Sequence, residues 1–107
     1  VDYPDFDREL AILQTRVPGA GARLSAEVVA FAQALRGQDL FKAPGVAESL
    51  DWARALVALD AVALAPDVIG DTMGALLKYQ DDIARIQGAE TTRLLDEARA
   101  TLAARTP

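Results

Sequence analysis

The segment from Val46 to Asp60 constrains this chain more than any other, because its apolar residues leave little of a helix surface for water. At about 100° per residue, Val46, Leu50, Trp52, Ala53, Leu56, Val57 and Leu59 cover about half the circumference, while Glu48, Asp51 and Arg54 advance along one narrow edge. Such a helix is stable only when surrounded, so the sequence predicts that the other elements pack around it as the central helix. Composition agrees that those elements are helices. Of the residues, 51% are hydrophobic but only 6% aromatic. Alanine and leucine supply most of the apolar content and favour helix over sheet. The 107 residues suffice for one domain with its own core and leave no room for a second.

Charge and residue inventory exclude several functions. Sixteen acidic against eleven basic residues give a net charge of −5. That balance repels a phosphate backbone, and no basic run offsets it, so nucleic acid is not an expected partner. With no cysteine and no histidine, thiol chemistry, disulfides, the usual zinc sites and imidazole acid-base catalysis are all ruled out. No apolar run approaches the roughly 20 residues of a membrane span, and the acidic opening VDYPDFDRE is the opposite of a secretory leader. A cytoplasmic chain is the expectation.

In chain order, Val1 to Pro4 should be extended, with Asp5 capping a first helix whose stripe is Phe6, Leu10, Leu13 and Val17. Pro18 and Gly19 end it. The loop to Arg23 has glycines but lacks the Lys-Ser or Lys-Thr of a phosphate loop. Ser25 is the expected cap of a second helix, with a Leu24–Val29 staple and a buried face of Val28, Phe31, Ala32 and Leu35, stopped by Gly37. In the crossing from Gln38 to Gly45, Leu40 and Phe41 are apolar enough to tuck under the central helix. Pro66 and Asp67 open a fourth and longest helix that runs to about Ile86, its stripe formed by Ile69, Met73, Leu76, Leu77 and Ile83. Lys78, Asp81, Asp82 and Arg85 form its wet side, and Gly70 with Gly74 mark a close helix crossing. After Gly88 a last helix, Ala89 to Ala104, could dock on the bundle, continue the fourth helix or pack on a neighbouring subunit.

The chemistry-bearing residues are few. Asp81 and Asp82 point about 100° apart on a helix and cannot both face one ion, so no metal site is expected. Trp52 on the apolar arc reads as core. The entry to the central helix, Lys42-Ala43-Pro44-Gly45, offers unpaired amides and a positive dipole end suited to an anion.

Three segments, DYPDFDREL, LFKAPGVAESLDWARAL and LLKYQDDIARI, together resemble the carboxyl-terminal lid of MoxR-type AAA+ ATPases over roughly residues 1–87. The resemblance implies an all-α bundle of four to five helices of the AAA+ lid type spanning 1–107. Residues 1–4 would be the end of the core's last strand and 88–107 a helical extension. It implies a parent that binds and hydrolyses ATP with Mg, works as a chaperone-like remodelling or maturation factor for a metalloenzyme or other complex, and assembles a hexameric ring. The partners would be the nucleotide-binding core of the same polypeptide, neighbouring subunits and the substrate complex, with no membrane. Walker motifs and an arginine finger are absent here, so the chain would be a fragment without catalytic residues and inactive alone.

By the same resemblance Ile12 and Leu13 match positions near the adenine, and Gly45, Val46, Ala47 and Ser49 form the helix start facing the nucleotide. The pattern departs from the family at the second sensor, where Ser49, or Glu48 with a one-residue shift, stands in place of an arginine. Arg54 lies further along the polar edge as a weaker substitute. Glu48, which would repel a phosphate, is expected to turn away from the helix start. The alternative from another class is a free-standing helical adaptor for protein partners.

Overall fold

The computed structural model describes residues 3–105. Among them are six helices and no strand: α1 (Phe6–Arg16), α2 (Ala22–Arg36), α3 (Val46–Ala58), α4 (Pro66–Leu76), α5 (Gln80–Arg85) and α6 (Ala89–Arg105). None is long and apolar enough to cross a membrane. The expected strand end at Val1 and Asp2 lies outside the described residues.

The local chemistry accounts for most of the ends. Asp5 accepts the Arg8 amide and caps α1; Pro66 opens α4 where a missing N–H costs nothing. Asp60 leaves α3 in the left-handed region, at φ 59°. This lets Asp60 N–H reach Val57 C=O and Ala61 N–H reach Leu56 C=O, satisfying two carbonyls that a helix end otherwise strands.

The centre of the bundle is α2, not α3. It packs against α1, α3 and α6 and buries Leu24, Val28, Val29, Phe31, Ala32 and Leu35. Alanines at 26, 30, 32 and 34 make it slim enough to be approached from several sides. On α3, Trp52, Ala53 and Leu56 are buried, but Leu59 falls past the helix end and is 58% exposed. Trp52 is fully enclosed: its ring lies 5.4 Å from that of Phe31, and its indole N–H donates to Thr72 Oγ at 2.7 Å, so the one polar atom of the side chain is satisfied in the core. The last helix docks on the bundle itself, with Leu94, Leu95 and Ala98 buried and with α2 and α4 as its neighbours.

Several sequence expectations are overturned. Ser25 does not cap α2, which starts one turn earlier after Gly21; its hydroxyl donates instead to Ala20 C=O inside the fold, so no staple forms across it. The long fourth helix is two helices. Leu76 and Leu77 are both 1% exposed, and a continuous helix would swing one of them away from the core; the chain turns extended at Leu77 (φ −114°, ψ 135°) and again at Tyr79 (φ −109°, ψ 137°). Gly70 and Gly74 mark no crossing, because a Cβ at either would meet nothing within 4 Å. Phe41 does not tuck under α3 and is 75% exposed. Asp82, expected on the wet side, is fully buried.

Candidate functional site

The entry to α3 is built by a residue the sequence pattern passes over. Arg36, in the last turn of α2, reads as an ordinary cation at a helix C-terminus. Its guanidinium instead grips Glu9 of α1 through two parallel bonds of 2.7 and 2.8 Å, donates through Nε to Pro44 C=O at 2.7 Å, and reaches Ser49 Oγ at 3.4 Å. The Tyr3 ring lies 4.5 Å from its central carbon. Both charges are sealed, the arginine side chain 7% exposed and the glutamate 1%. Their mutual bonds, with Gln33 approaching Glu9 at 3.5 Å, offset desolvation that would otherwise forbid this burial. One signal could have found Glu9: it stands among Phe6, Leu10 and Leu13 on the apolar side of α1, where an acid needs a buried cation.

Asp82 does the corresponding work on the other side of the crossing. Its carboxylate accepts the amides of Phe41 at 2.9 Å and Lys42 at 3.1 Å, so a side chain on α5 sets the backbone that leads into α3. The crossing from Gln38 to Gly45 is therefore held at its middle by Asp82, about forty residues away, and near its end by Arg36 at the close of α2.

The helix start brings its own anion. Glu48 does not turn away: its Oε1 accepts the Gly45 amide at 2.8 Å, half of a capping box, since Gly45 has no side chain to return the bond. A Cβ at Gly45 would stand 3.2 Å from that oxygen, so glycine leaves room for the carboxylate to fold back. With a carboxylate already at the positive end of the helix, a phosphate there would meet repulsion.

The candidate nucleotide-facing residues divide by depth. Leu13 and Ser49 are fully buried and present no surface; the Ser49 hydroxyl donates to Gly45 C=O. Gly45, Val46 and Ile12 are half-buried and Ala47 is exposed. Arg36 draws the two segments toward each other, through Glu9 one turn before Leu13 and through Ser49 at the head of α3. Ile12 opens on a shallow surface hollow lined with Ala11, Thr15 and Arg16, which the α3 start does not line. Arg54 is half-exposed and paired with Asp51 at 3.4 Å.

A second polar cluster joins α2 to α6. Glu27 accepts the Leu64 amide at 2.7 Å and Arg99 Nε at 3.0 Å, and Arg23 approaches it at 3.5 Å. Burial pushes its carboxyl up, but the Arg99 bond, the Leu64 amide and the charges of Arg99 and Arg23 together hold it below the usual carboxylate value. Beside it opens a cleft of about 440 Å³ lined by Phe6, Ala26, Leu102 and the arginines 23, 99 and 105. Neither cluster pairs a nucleophile with a base, and no group of three or more acids among the described residues is placed to hold a metal ion. Comparisons of this chain with protein-family models, with curated proteins and with solved structures found no match.

Proposed function

We propose that these residues are the helical lid of a MoxR-type AAA+ ATPase, closing over a nucleotide held by a core elsewhere in the same polypeptide. The observation that carries the reading is the polar network just described. The three segments bearing the resemblance are far apart in sequence, yet Tyr3 and Glu9 of the first, Pro44 and Ser49 of the second and Asp82 of the third converge on Arg36 and on the crossing into α3. Segments that served helix propensity alone would have no reason to converge.

In this reading the lid contributes apolar cover and leaves phosphate chemistry to the core. Ile12, Val46 and Ala47 retain surface for the base and sugar, while Glu48 occupies the helix end that would otherwise attract phosphate. Mg-ATP would bind in the intact parent, in a hexameric ring that remodels a protein complex, and the present residues alone would not hydrolyse it. The test uses the full-length protein. Its reading frame upstream of Val1 should encode Walker motifs within about 200 residues, the size of one nucleotide-binding domain. In that protein Ala47→Trp should raise the KM for ATP several-fold by obstructing closure, while Glu48→Gln should leave it nearly unchanged. A frame without Walker motifs, or micromolar ATP binding by the 107-residue chain in calorimetry, overturns the reading.

A further inference from the structure

The cleft beside Glu27 gathers three guanidinium groups around carbon surface. Arg23 reaches it from the first turn of α2, Arg99 and Arg105 from the end of α6, and Phe6, Ala26 and Leu102 supply its apolar wall. Its volume of about 440 Å³ falls within the range of roughly 300–1,000 Å³ usual for small-molecule sites. None of the candidate nucleotide-facing residues lines it.

Its cations outnumber its acids. Among the described residues, the acids that pair with the three arginines are Glu27 and Asp7. Arg105 bonds Asp7 and lies 4.2 Å from the centre of the Phe6 ring, while Arg99 bonds Glu27 and the Leu64 carbonyl. Arg23 is left over. Glu27 has already accepted the Leu64 amide at 2.7 Å and Arg99 at 3.0 Å, and Arg23 meets it only through Nε, at 3.5 Å. The Arg23 side chain is 69% exposed, and its two terminal amino groups have no acceptor among the described residues. Three guanidinium groups against two carboxylates leave one positive charge, on a molecule whose net charge is −5.

This combination selects a ligand class. A guanidinium with unused amino groups offers the planar fork that a carboxylate fits, and carbon surface in the same cleft rewards an apolar group attached to it. A surplus of one charge matches a monoanion; a phosphate dianion would outweigh it and gain nothing from the apolar wall. We propose that the cleft binds a small carboxylate with an apolar tail, the carboxylate on Arg23 and the tail on Phe6, Ala26 and Leu102. The site does not rest on the lid reading and needs no nucleotide.

The experiment titrates octanoate into the 107-residue chain and follows backbone amide shifts by NMR. Saturable shifts grouped around residues 23–27 and 99–105 are expected, with a Kd below about 1 mM. Arg23→Gln should weaken binding about tenfold, as the loss of one charge-assisted pairing, with an unchanged thermal melt because the side chain is exposed. Ala26→Leu should weaken it at least as much by filling the cleft. Octanamide, which keeps the tail without the charge, and acetate, which keeps the charge without the tail, should both bind far less. The proposal is overturned by the absence of saturable octanoate binding at millimolar concentration, by octanamide or acetate binding as tightly as octanoate, or by full-strength binding to Arg23→Gln. It is also overturned by tighter binding of inorganic phosphate, or of a tetrapeptide ending in leucine, which would make a protein chain end the occupant.

Discussion

Both ends of α2 are tied to a neighbouring helix by a carboxylate and a guanidinium, yet the two ties differ in depth. At its C-terminal end Arg36 meets Glu9 with the side chains 7% and 1% exposed. At its N-terminal end Glu27 is 4% exposed, but its partner Arg99 is 39% exposed. A sealed pair has no water to fall back on, so losing either member strands a charge in the core. Arg99 can turn toward solvent while Glu27 keeps the Leu64 amide. The junction of α1, α2 and α3 should therefore behave as all or none, whereas the attachment of α6 can loosen by degrees.

The sharpest way to break this contrast is Arg36→Ala, which should cost about 3–5 kcal/mol in denaturant unfolding. Replacing both members, Glu9→Leu with Arg36→Met, should recover part of that loss but not all, because Pro44 C=O and the Ser49 hydroxyl lose their donor. A cost below about 1 kcal/mol for Arg36→Ala would mean that water reaches the junction and that the two ties are alike.

Glu27→Gln should cost less, about 1–2 kcal/mol at neutral pH, since the amide can still accept the Leu64 N–H. The folded carboxyl lies below its unfolded value, so its stabilisation is fully present above the unfolded value of about 4.3 and is lost as pH falls through the folded one. The stability gap between the native chain and Glu27→Gln should be level from neutral pH to about pH 5 and should close below that. Urea titrations at each pH would check it, and a gap that widens on acidification would reverse the sign. The smallest effect belongs to Arg23→Ala. Its side chain is 69% exposed and meets Glu27 only at 3.5 Å, so the change should stay within about 0.5 kcal/mol.

What could be read from sequence was local. Trp52 in the core, the Asp5 cap, the proline opening of α4 and the break at Gly88 each depend on residues within a turn or two of one another, and each stands in the structure. The helix break at Leu77 has no proline or glycine to announce it; burial of two adjacent leucines decides it. The partners of Asp82 are backbone amides about forty residues earlier, so its side chain looked like part of the wet side of a helix, while those of Arg36 lie on other elements and nothing local to α2 announces them. Glu48 was misjudged for a related reason. Its charge suggested repulsion from a ligand, while the nearer demand was the amide of Gly45, three residues away. Of the candidate site, the arginine that joins α1 to the α3 start was not legible, because its partners lie on other elements.

Arg105, in the last described turn of α6, lies 4.2 Å from the ring centre of Phe6 in the first turn of α1 and bonds the Asp7 carboxylate. The opening and closing helices thus touch, and in sequence the fold is nearly a closed loop. Order along the chain then matters less than adjacency in space: a permuted version opened near Val62, which is 83% exposed, and joined between α6 and α1 would keep all six helices and their contacts. A longer polypeptide could likewise carry the bundle as an insertion, entering at α1 and leaving at α6 through neighbouring points, with little displacement of the chain on either side.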